Sequence, residues 1–464
     1  MSAFGRPEAL RIKALKPTVE PIALYAALRR RVARSFLLES APGPQRLAEF
    51  SFIGFAPIAM VVLQDGQLLW NGEPVPTHNP LQALRQRFAP YTVKAPEFKY
   101  IGGLVGYVSY EFVRYLEELA LQPSPFPDLE VGLFTDGVIY DHRRGTAFYF
   151  SHAEDRSHIL TESLDEAQCR GRPACLPQAR FACDELHSDQ SQAEFEHNVA
   201  RARELIAAGE VFQIVLSRRL HARYHGDLFA VYQRLRRINP SPYMYFLDFG
   251  ARKIAGSSPE MLVAVRDRTV QTYPIAGTRP LGRSAAETAV LARELADDPK
   301  ERAEHAMLVD LARNDIGRIS EFGSVRVSEY MRVERFSHVQ HLVSCVEGQL
   351  REGLDAFDAL AALFPAGTVS GAPKVRALEL IAQLEKTPRG PYAGAVGYLS
   401  LNGNLDTAIT IRTVWADEQN VYTRAGAGIV YDSVPEREWR ETESKLQAMK
   451  HALYGGVEHE GLGH

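Results

Sequence analysis

The chain has 464 residues, of which 45% are hydrophobic and 24% are charged. This composition is typical of a globular protein and excludes a disordered, collagen-like or coiled-coil chain. Lys and Arg total 53 and Asp and Glu total 57, so the formal net charge is -4. A chain this close to neutral has no excess of positive charge to attract nucleic acid or an anionic membrane, and we predict neither partner.

The cysteines and the N-terminus favour a reducing compartment. Cys169, Cys175 and Cys183 lie close together, but they lack the closely spaced cysteine pair that begins most zinc sites. Residues 1–16 contain no apolar segment of the kind found in signal peptides. The longest apolar stretch, residues 50–63, is interrupted by glycine and proline and is too short to span a bilayer. We therefore predict a soluble cytoplasmic protein.

The first part of the chain is dominated by short strand-like runs. They lie at residues 58–63, 67–70, 100–110, 137–140 and 147–151. The polar stretch that follows, 153–191, has no sustained periodicity and is predicted to be a linker or surface excursion. We therefore divide the chain into an N-terminal segment at 1–152, the linker at 153–191, a second domain at 192–455 and a tail at 456–464.

Helices and strands interleave after the linker. Apolar residues at helical spacing predict a helix over 195–206, which Gly209 ends. Residues 211–216 predict a strand, and Asp298 is predicted to cap the next long helix. The last helix is predicted to begin near Pro435. Because strands and helices do not alternate as regular βαβ units, we predict an α+β fold.

Glutamates in three segments are candidates for chemistry. Glu304 lies in the middle of a predicted helix, and Glu441 and Lys445 are four residues apart on the last helix. The simpler interpretation of the second pair is an ion pair on a solvated helix face. The alternative is a Mg²⁺ site with few protein ligands, since Mg²⁺ prefers octahedral oxygen and retains waters. Glu260 follows a predicted turn, where a capping or surface carboxylate is the simpler interpretation.

Two glycine-rich segments are able to approach a ligand. Residues 367–374 run into a predicted helix, whose free N–H groups would bind an anion. Residues 425–428 follow a predicted strand but lack the full G-x-G-x-x-G pattern, so we reject a nucleotide site. Glycine permits a close approach of the backbone to a ligand, and tight turns at strand ends are the alternative.

His341 lies in a strand-like run, 339–343. A lone histidine on an apolar strand face is usually a core residue with its hydrogen bonds satisfied. A proton carrier is the alternative.

Together, these segments resemble the chorismate-utilising enzymes over residues 195 to 453. The matching segments occur in the family's order, and they are 211–217, 258–260, 274–278, 303–315, 338–341, 367–374, 394–398, Arg412, 426–428 and 438–445. The resemblance implies a two-lobed β-sandwich of roughly orthogonal antiparallel sheets flanked by helices. Chorismate would lie in the cleft between the lobes.

The resemblance also implies roles for individual residues. Glu260 would protonate the C4 hydroxyl as it leaves, and His341 would assist the loss of pyruvate, with Thr368 beside them in the catalytic set. Mg²⁺ would be held by Glu304 and Glu441. The substrate carboxylates would be bound by Gly277, Thr278, Tyr392, Arg412, Gly426, Ala427, Gly428 and Lys445.

The N-terminal part resembles the anthranilate synthase branch of the family. Segments 36–40, 52–54 and 239–244 match that branch in order, and in it they bind L-tryptophan as a feedback inhibitor. Residues 49–51 read Glu-Phe-Ser, where Arg-Tyr-Ser is expected. The resemblance implies that the inhibitor contacts are Glu39, Ser40, Pro242, Tyr243 and Met244.

Two positions bear on the product. Gln213 stands where water-adding members have a lysine base, and glutamine cannot act as a base at neutral pH. Ala276 stands where many aminodeoxychorismate synthases have a nucleophilic lysine. Both positions favour direct attack of ammonia at C2 and release of anthranilate and pyruvate. The alternatives are the large subunit of aminodeoxychorismate synthase and a non-catalytic tryptophan-binding protein on the same fold.

Ammonia is expected to come from a second protein. No cysteine of this chain lies in the glycine-rich elbow that a glutaminase nucleophile requires. We therefore predict a separate glutamine amidotransferase subunit that supplies ammonia to this chain.

Overall fold

The computed structural model describes residues 10–15, 19–40, 49–152, 155–169, 179–336 and 339–455. The predicted tail at 456–464 and parts of the predicted linker, 153–154 and 170–178, lie outside the described residues. The helices are α1 (Pro21–Leu28), α2 (Pro80–Phe88), α3 (Ser157–Cys169), α4 (Gln192–Ala207), α5 (Phe229–Ile238), α6 (Ala285–Asp297), α7 (Pro299–Gly317), α8 (Ala356–Leu363), α9 (Lys374–Leu384) and α10 (Pro435–Tyr454).

The strands are shared between two sheets. In chain order they are β1 (Arg11–Leu15), β2 (Ser35–Glu39), β3 (Phe50–Phe55), β4 (Ala59–Gln64), β5 (Gln67–Trp70), β6 (Glu73–Val75), β7 (Gly103–Val108), β8 (Leu129–Phe134), β9 (Asp136–Asp141), β10 (Thr146–Ser151), β11 (Phe181–Cys183), β12 (His187–Ser188), β13 (Gln213–Gly226), β14 (Tyr243–Asp248), β15 (Lys253–Ser258), β16 (Met261–Arg266), β17 (Thr269–Thr272), β18 (Ile275–Pro280), β19 (Arg326–Arg335), β20 (Val339–Gln349), β21 (Gly371–Ala372), β22 (Ala395–Ser400), β23 (Leu405–Ile409), β24 (Thr413–Ala416) and β25 (Asn420–Ile429).

Both sheets are antiparallel and contain strands from both halves of the chain. The first has the order β1-β10-β9-β3-β2-β14-β15-β24-β25-β13-β11, with β12 and β21 also paired to β13. The second has the order β18-β20-β17-β16-β23-β22-β7-β8-β4-β5-β6, with β19 also paired to β20. The halves meet where β2 pairs with β14 and where β7 pairs with β22. The predicted α+β fold, two antiparallel sheets flanked by helices, is confirmed.

The segment 153–191, predicted to be a linker or surface excursion, contains regular structure in its described residues. Helix α3 packs on α1 and buries Leu160 and Ser163. Strands β11 and β12 extend the first sheet by pairing with β13. The helix was missed because only a narrow apolar stripe faces α1 and the rest of its surface is polar, which weakens the periodicity.

Two helices that carry candidate site residues begin at strong local signals. Asp298 caps α7, since its side chain accepts hydrogen bonds from the backbone N–H groups of Lys300 and Glu301 at 3.0 and 3.2 Å. Helix α10 begins at Pro435, as predicted, and ends at Gly455, which is left-handed at φ 73°. Helix α7 packs beside β18 and β20 and α10 packs beside β25, with Glu304 of α7 close enough to Glu441 of α10 for their charges to interact.

Candidate active site

Glu260 lies between β15 and β16, where its carbonyl accepts the backbone N–H of Ile409 at 3.0 Å. The residue is 8% exposed, and no ion pair to its carboxyl occurs among the described residues. Burial raises the pKa of Glu260 to about 7, although Thr368, Lys445 and Arg412 oppose this shift. The carboxyl therefore retains its proton close to neutral pH, as a general acid requires.

Glu260 and Thr368 line a cavity with about 380 Å³ of empty space, part of it open to solvent. Thr368 belongs to a 3-10 turn at Gly367–Val369. Its buried Oγ1 has no well-formed hydrogen bond among the described residues, although it lies near enough to the Glu260 carboxyl to lower that pKa. The remaining walls are mainly apolar and include Met261, Pro274, Leu308, Leu311, Leu363 and Ile409.

His341 is a neutral imidazole in a defined tautomer. Its Nδ1 lies 2.7 Å from the carbonyl oxygen of Gly277 and 3.2 Å from Oγ1 of Thr278. Because a carbonyl only accepts, Nδ1 carries the proton and Nε2 is a hydrogen-bond acceptor. Burial, assisted by the charges of Arg412 and Lys445, lowers the pKa of His341 to about 4. The interpretation as an ordinary core histidine does not account for the two cations beside it.

Arg412 is a cation without a partner. It has a positive φ of 50°, which is strained for a residue with a side chain. Among the residues that the structure describes, none forms a hydrogen bond or ion pair with its guanidinium. Burial lowers the pKa of Arg412, and the charge of Glu260 opposes the shift. A partly buried guanidinium whose donors are unused by the described residues is suited to bind a ligand carboxylate through two parallel hydrogen bonds.

Gly426 and Gly428 lie inside β25, whereas the sequence predicted that residues 425–428 follow a strand. A Cβ atom at Gly426 would stand 2.8 Å from the hydroxyl of Tyr392, and one at Gly428 would stand 2.7 Å from Nε2 of Gln213. Only glycine leaves this room. Ala427 is 0% exposed and packs in the core, so its backbone alone is available to a ligand.

A group of acidic side chains, Glu301, Glu304 and Glu441, lies where α7 faces α10. Burial raises the pKa of Glu304, and the charges of Glu301 and Glu441 raise it further. Glu441 forms the predicted ion pair with Lys445 at 2.7 Å. The Lys445 ammonium also donates to the carbonyl of Gly426 at 2.9 Å, which joins α10 to the glycine wall. Glu301 was missed by the sequence analysis, although its position three residues before Glu304 was a signal.

These carboxylates fit a hard divalent cation. Carboxylate oxygens are the ligands that Mg²⁺ prefers, and the repulsion that raises the pKa of Glu304 is the repulsion that a bound cation removes. Burial and the charge of Glu441 also raise the pKa of Glu438. Within the described ranges, no three His, Cys, Asp or Glu side chains converge as a complete ligand set. Glu304 and Glu441 alone are therefore an incomplete ligand set, which a substrate carboxylate and waters would have to complete.

The predicted inhibitor residues are brought together by the pairing of β2 with β14. Glu39 is directly opposite Met244 in the register of this pair. Ser40 follows Glu39, and Pro242 and Tyr243 lead into β14. The five residues therefore form one group in the first sheet, which we call the β2–β14 group.

The polar side chains of the β2–β14 group have partners. Glu39 is 6% exposed and accepts hydrogen bonds from Tyr232 at 2.5 Å and Arg236 at 3.2 Å. The hydroxyl of Tyr243 donates to Asp406 at 3.0 Å. Burial raises the pKa of Asp406 to about 6.

Gln213, which the sequence analysis considered only for its bearing on the product, is a further residue of the cleft wall. It is 5% exposed, and its Oε1 has no hydrogen-bond partner among the described residues. A buried acceptor in this state has the capacity to bind a ligand donor. The signal was its position in β13, where related enzymes that add water carry lysine.

Comparison with known proteins identifies the class to which this fold and site belong. A family model described as chorismate binding enzyme matches residues 33–451. The chain therefore belongs to the chorismate-binding enzyme family. None of the helices in the described ranges is both long enough and apolar enough to cross a membrane.

Individual relatives are more specific. The chain is 49% identical to anthranilate synthase component 1 of Methanothermobacter thermautotrophicus over 435 residues, which is 93% of this chain and 91% of that protein. The structure of anthranilate synthase component I from Streptococcus pneumoniae is similar with a TM-score of 0.79 and 39% identity, covering 87% of this chain and 92% of that one. The isochorismate synthase MenF of Escherichia coli has a TM-score of 0.73 over 97% of this chain and 95% of its own, and at 21% identity it shows the fold alone.

Proposed function

We propose that the chain is the chorismate-converting component of an anthranilate synthase, forming anthranilate, pyruvate and water from chorismate and ammonia. The observation that carries the proposal is the cleft itself. It combines Glu260, whose pKa is raised to about 7, with the guanidinium of Arg412, which has no partner among the described residues, and a wall that presents Gln213 in place of a base. The names of the relatives at 49% and 39% identity support the same reaction.

The first step is amination of the ring. Ammonia forms a bond to C2, the ring double bonds shift, and the bond from C4 to its hydroxyl breaks. Glu260 donates its proton to that hydroxyl, which leaves as water. The added nitrogen releases one proton, which restores the acid. Gln213 has no basic group to deprotonate a competing water, so ammonia is the nucleophile that reacts.

The second step is loss of pyruvate. The C2 proton is removed, the bond from C3 to the enolpyruvyl oxygen breaks, and the ring becomes aromatic. His341 is suited to accept that proton, since its Nε2 carries a lone pair while Nδ1 is tied to Gly277. The enolpyruvyl group gains a proton as it leaves and becomes pyruvate.

Substrate is held by the cations and glycines around the cleft. Arg412 and Tyr392 bind the enolpyruvyl carboxylate, and Thr278 with the backbone of residues 426–428 binds the ring carboxylate. Lys445 contributes positive charge beside both. Glu304 and Glu441 would hold Mg²⁺, and the bound ion would neutralise charge on the ring carboxylate.

Two partners follow from this chemistry. A glutamine amidotransferase subunit supplies ammonia, in accord with the word component in the names of the relatives. L-tryptophan binds at the β2–β14 group and inhibits the reaction. We place the enzyme in the cytoplasm, where a reducing environment keeps thiols such as Cys183 and Cys345 free.

The test is one assay of the purified chain with chorismate, Mg²⁺ and ammonium salt. The pH is about 8.5, where a useful fraction of the ammonium, with a pKa of about 9, is neutral ammonia. Equal appearance of anthranilate fluorescence and pyruvate, abolished by EDTA, is the expected result. Chorismate loss without either product would instead identify an aminodeoxychorismate synthase. Tight binding of tryptophan without any turnover would identify a binding protein.

A further inference from the structure

A buried ion pair lies beneath the cleft wall and takes no part in the chemistry above. Arg389 and Glu385 have side chains that are 1% and 5% exposed. Nε and Nη2 of Arg389 donate to the two carboxylate oxygens of Glu385 at 2.9 and 2.6 Å. Such a bidentate pair fixes the plane of the guanidinium.

The other donors of Arg389 reach two backbone carbonyls on different walls of the cleft. Nη1 donates to the carbonyl of Val369 at 2.7 Å, and Nη2 donates to that of Val215 at 2.8 Å. Val369 follows Thr368 directly, and Val215 is opposite Gly428 in the pairing of β13 with β25. One side chain therefore connects the turn that carries Thr368 to the strands that carry the glycine wall.

Arg389 also contacts the segment that carries Tyr392. Its guanidinium lies 4.6 Å from the ring centre of Tyr110 and 5.7 Å from that of Tyr392. Glu111 accepts the backbone N–H groups of Arg389 and Gly390 at 2.7 and 3.0 Å, which fixes the chain just before Tyr392. The hydroxyl of Tyr392 in turn lies against Gly426 in the glycine wall.

We propose that Arg389 is a positioning residue that sets the affinity for chorismate by holding Thr368, Gly428 and Tyr392 in their relative positions. It does not contact the substrate itself. The guanidinium is required because its planar fork satisfies four acceptor atoms in fixed directions, whereas a lysine ammonium offers three donors on a flexible stem. The effect on turnover rests on the proposed function, but the effect on binding does not.

The test compares Arg389→Lys with the same change at Arg156. Arg156 is a matched control, since it also pairs with a buried carboxylate, Asp136, donates to a backbone carbonyl at Ala56 and lies over an aromatic ring, Phe55. The chorismate Kd is measured by calorimetry and the melting temperature by scanning calorimetry. We expect both variants to lose thermal stability, and Arg389→Lys alone to weaken chorismate binding by about tenfold or more.

A double variant separates positioning from fold stability. Glu385→Gln with Arg389→Met removes both charges of this pair, so that Arg424, with Asp189 at 4.0 Å, is the one arginine that loses Glu385. It leaves the carbonyls of Val369 and Val215 without their donor. We expect the melting temperature to lie above that of Glu385→Gln alone, while the chorismate Kd remains raised. Wild-type affinity in this variant, or in Arg389→Lys, overturns the proposal.

Turnover of the wild-type chain is measured in parallel. A wild-type chain that binds chorismate but forms no anthranilate contradicts the proposed function. The comparison of Kd values between the Arg389 and Arg156 variants still decides whether Arg389 positions the site.

Discussion

The cleft and the layer directly beneath it each bury a carboxyl group, and the two pKa values are shifted in opposite directions. We call the layer that contains Glu385, Arg389 and Arg424 the lower layer. Glu385, in the lower layer, accepts hydrogen bonds from Arg389, Arg424 and Ser217. Burial alone would raise the pKa of Glu385, but the two arginines outweigh it and hold the pKa below its ordinary value. Glu260, in the cleft, has no ion pair among the described residues, and its pKa is raised to about 7.

The difference corresponds to two roles of buried polar groups, one that stabilises the fold and one that serves binding and proton transfer. In the lower layer Glu385 is paired with both Arg389 and Arg424, so these three groups add rigidity and no chemistry. In the cleft, Glu260, Arg412 and the Oε1 of Gln213 keep unused capacity, which is the condition that favours binding and proton transfer. A ligand with two carboxylates and a leaving hydroxyl would provide partners for these groups.

The difference between the roles of Glu260 and Glu385 is tested most directly by neutralising each carboxyl in turn. Glu260→Gln removes the general acid, so ammonia-dependent turnover should fall by about 10²- to 10⁴-fold. Its melting temperature at pH 8 should rise or stay unchanged, because an unpaired buried charge is lost. Glu385→Gln should instead lower the free energy of unfolding by about 3 kcal/mol, because two arginines lose their partner. Equal losses of activity in the two variants would show that the distinction is wrong.

The acidic group between α7 and α10 is tested next. Glu304→Gln removes one carboxylate ligand of the proposed cation, so the Mg²⁺ concentration for half-maximal turnover should rise about 10- to 100-fold. Titration with Mg²⁺ at saturating chorismate measures this shift. Glu443→Gln on α10 is the control, since Glu443 pairs with Arg218 and Lys450 and not with the group around Glu441. An unchanged Mg²⁺ requirement in Glu304→Gln would remove Glu304 from the metal site.

His341 is expected to separate the two chemical steps. His341→Asn keeps a polar side chain but removes the proton acceptor, so pyruvate release should fall about 100-fold. Amination depends on Glu260 and should continue, which leads to accumulation of an aminated intermediate. Chromatography of the quenched reaction with a parallel pyruvate assay measures both. Equal loss of chorismate consumption and pyruvate release would mean that His341 serves the first step.

The raised pKa of Glu260 predicts that kcat/KM for neutral ammonia decreases as the pH rises. The carboxyl is protonated below pH 7 and ionised above it, so the acid is lost as the pH rises through about 7. With rates divided by the concentration of neutral ammonia, kcat/KM should fall about tenfold per pH unit above that value. A profile that stays flat from pH 6 to 9 in the wild-type chain would exclude Glu260 as the acid. Without the correction, the increase in ammonia masks the decrease.

The smallest effect is expected at the β2–β14 group. Glu39→Gln removes a charge that is able to bind the ammonium of an amino acid, so inhibition by tryptophan should weaken about tenfold. The measured quantity is the ratio of rates with and without tryptophan, which cancels any change in the basal rate. An unaltered inhibition constant would exclude Glu39 as a contact.

Local signals in the sequence explain which elements could be predicted. The start of α7 at Pro299 and of α10 at Pro435 depends on caps that lie within a few residues. The strand that carries His341 depends on the valine and leucine residues of its own run, 339–343. These signals need no knowledge of the rest of the chain.

The elements that were missed depend on distant residues. The segment 425–428 was expected to follow a strand, but pairing with β13 extends β25 through it. Arg389 was not predicted at all, because its partners Val215 and Val369 are far from it in the chain. That no described residue pairs with Arg412 likewise becomes visible only when its neighbours are in place. Sequence predicted the types of residue in the site, and the fold determined which of them remain unpaired.

The most direct measurement is the titration of Glu260 itself. Difference infrared spectra of the wild-type chain minus Glu260→Gln, recorded from pH 5 to 9 without substrate, isolate the stretch of this one carboxyl. We predict that the protonated band is present at pH 5 and disappears with a midpoint of about 7. A carboxylate that is already ionised at pH 5 would contradict the claim that the cleft holds an unpaired acid ready for proton transfer.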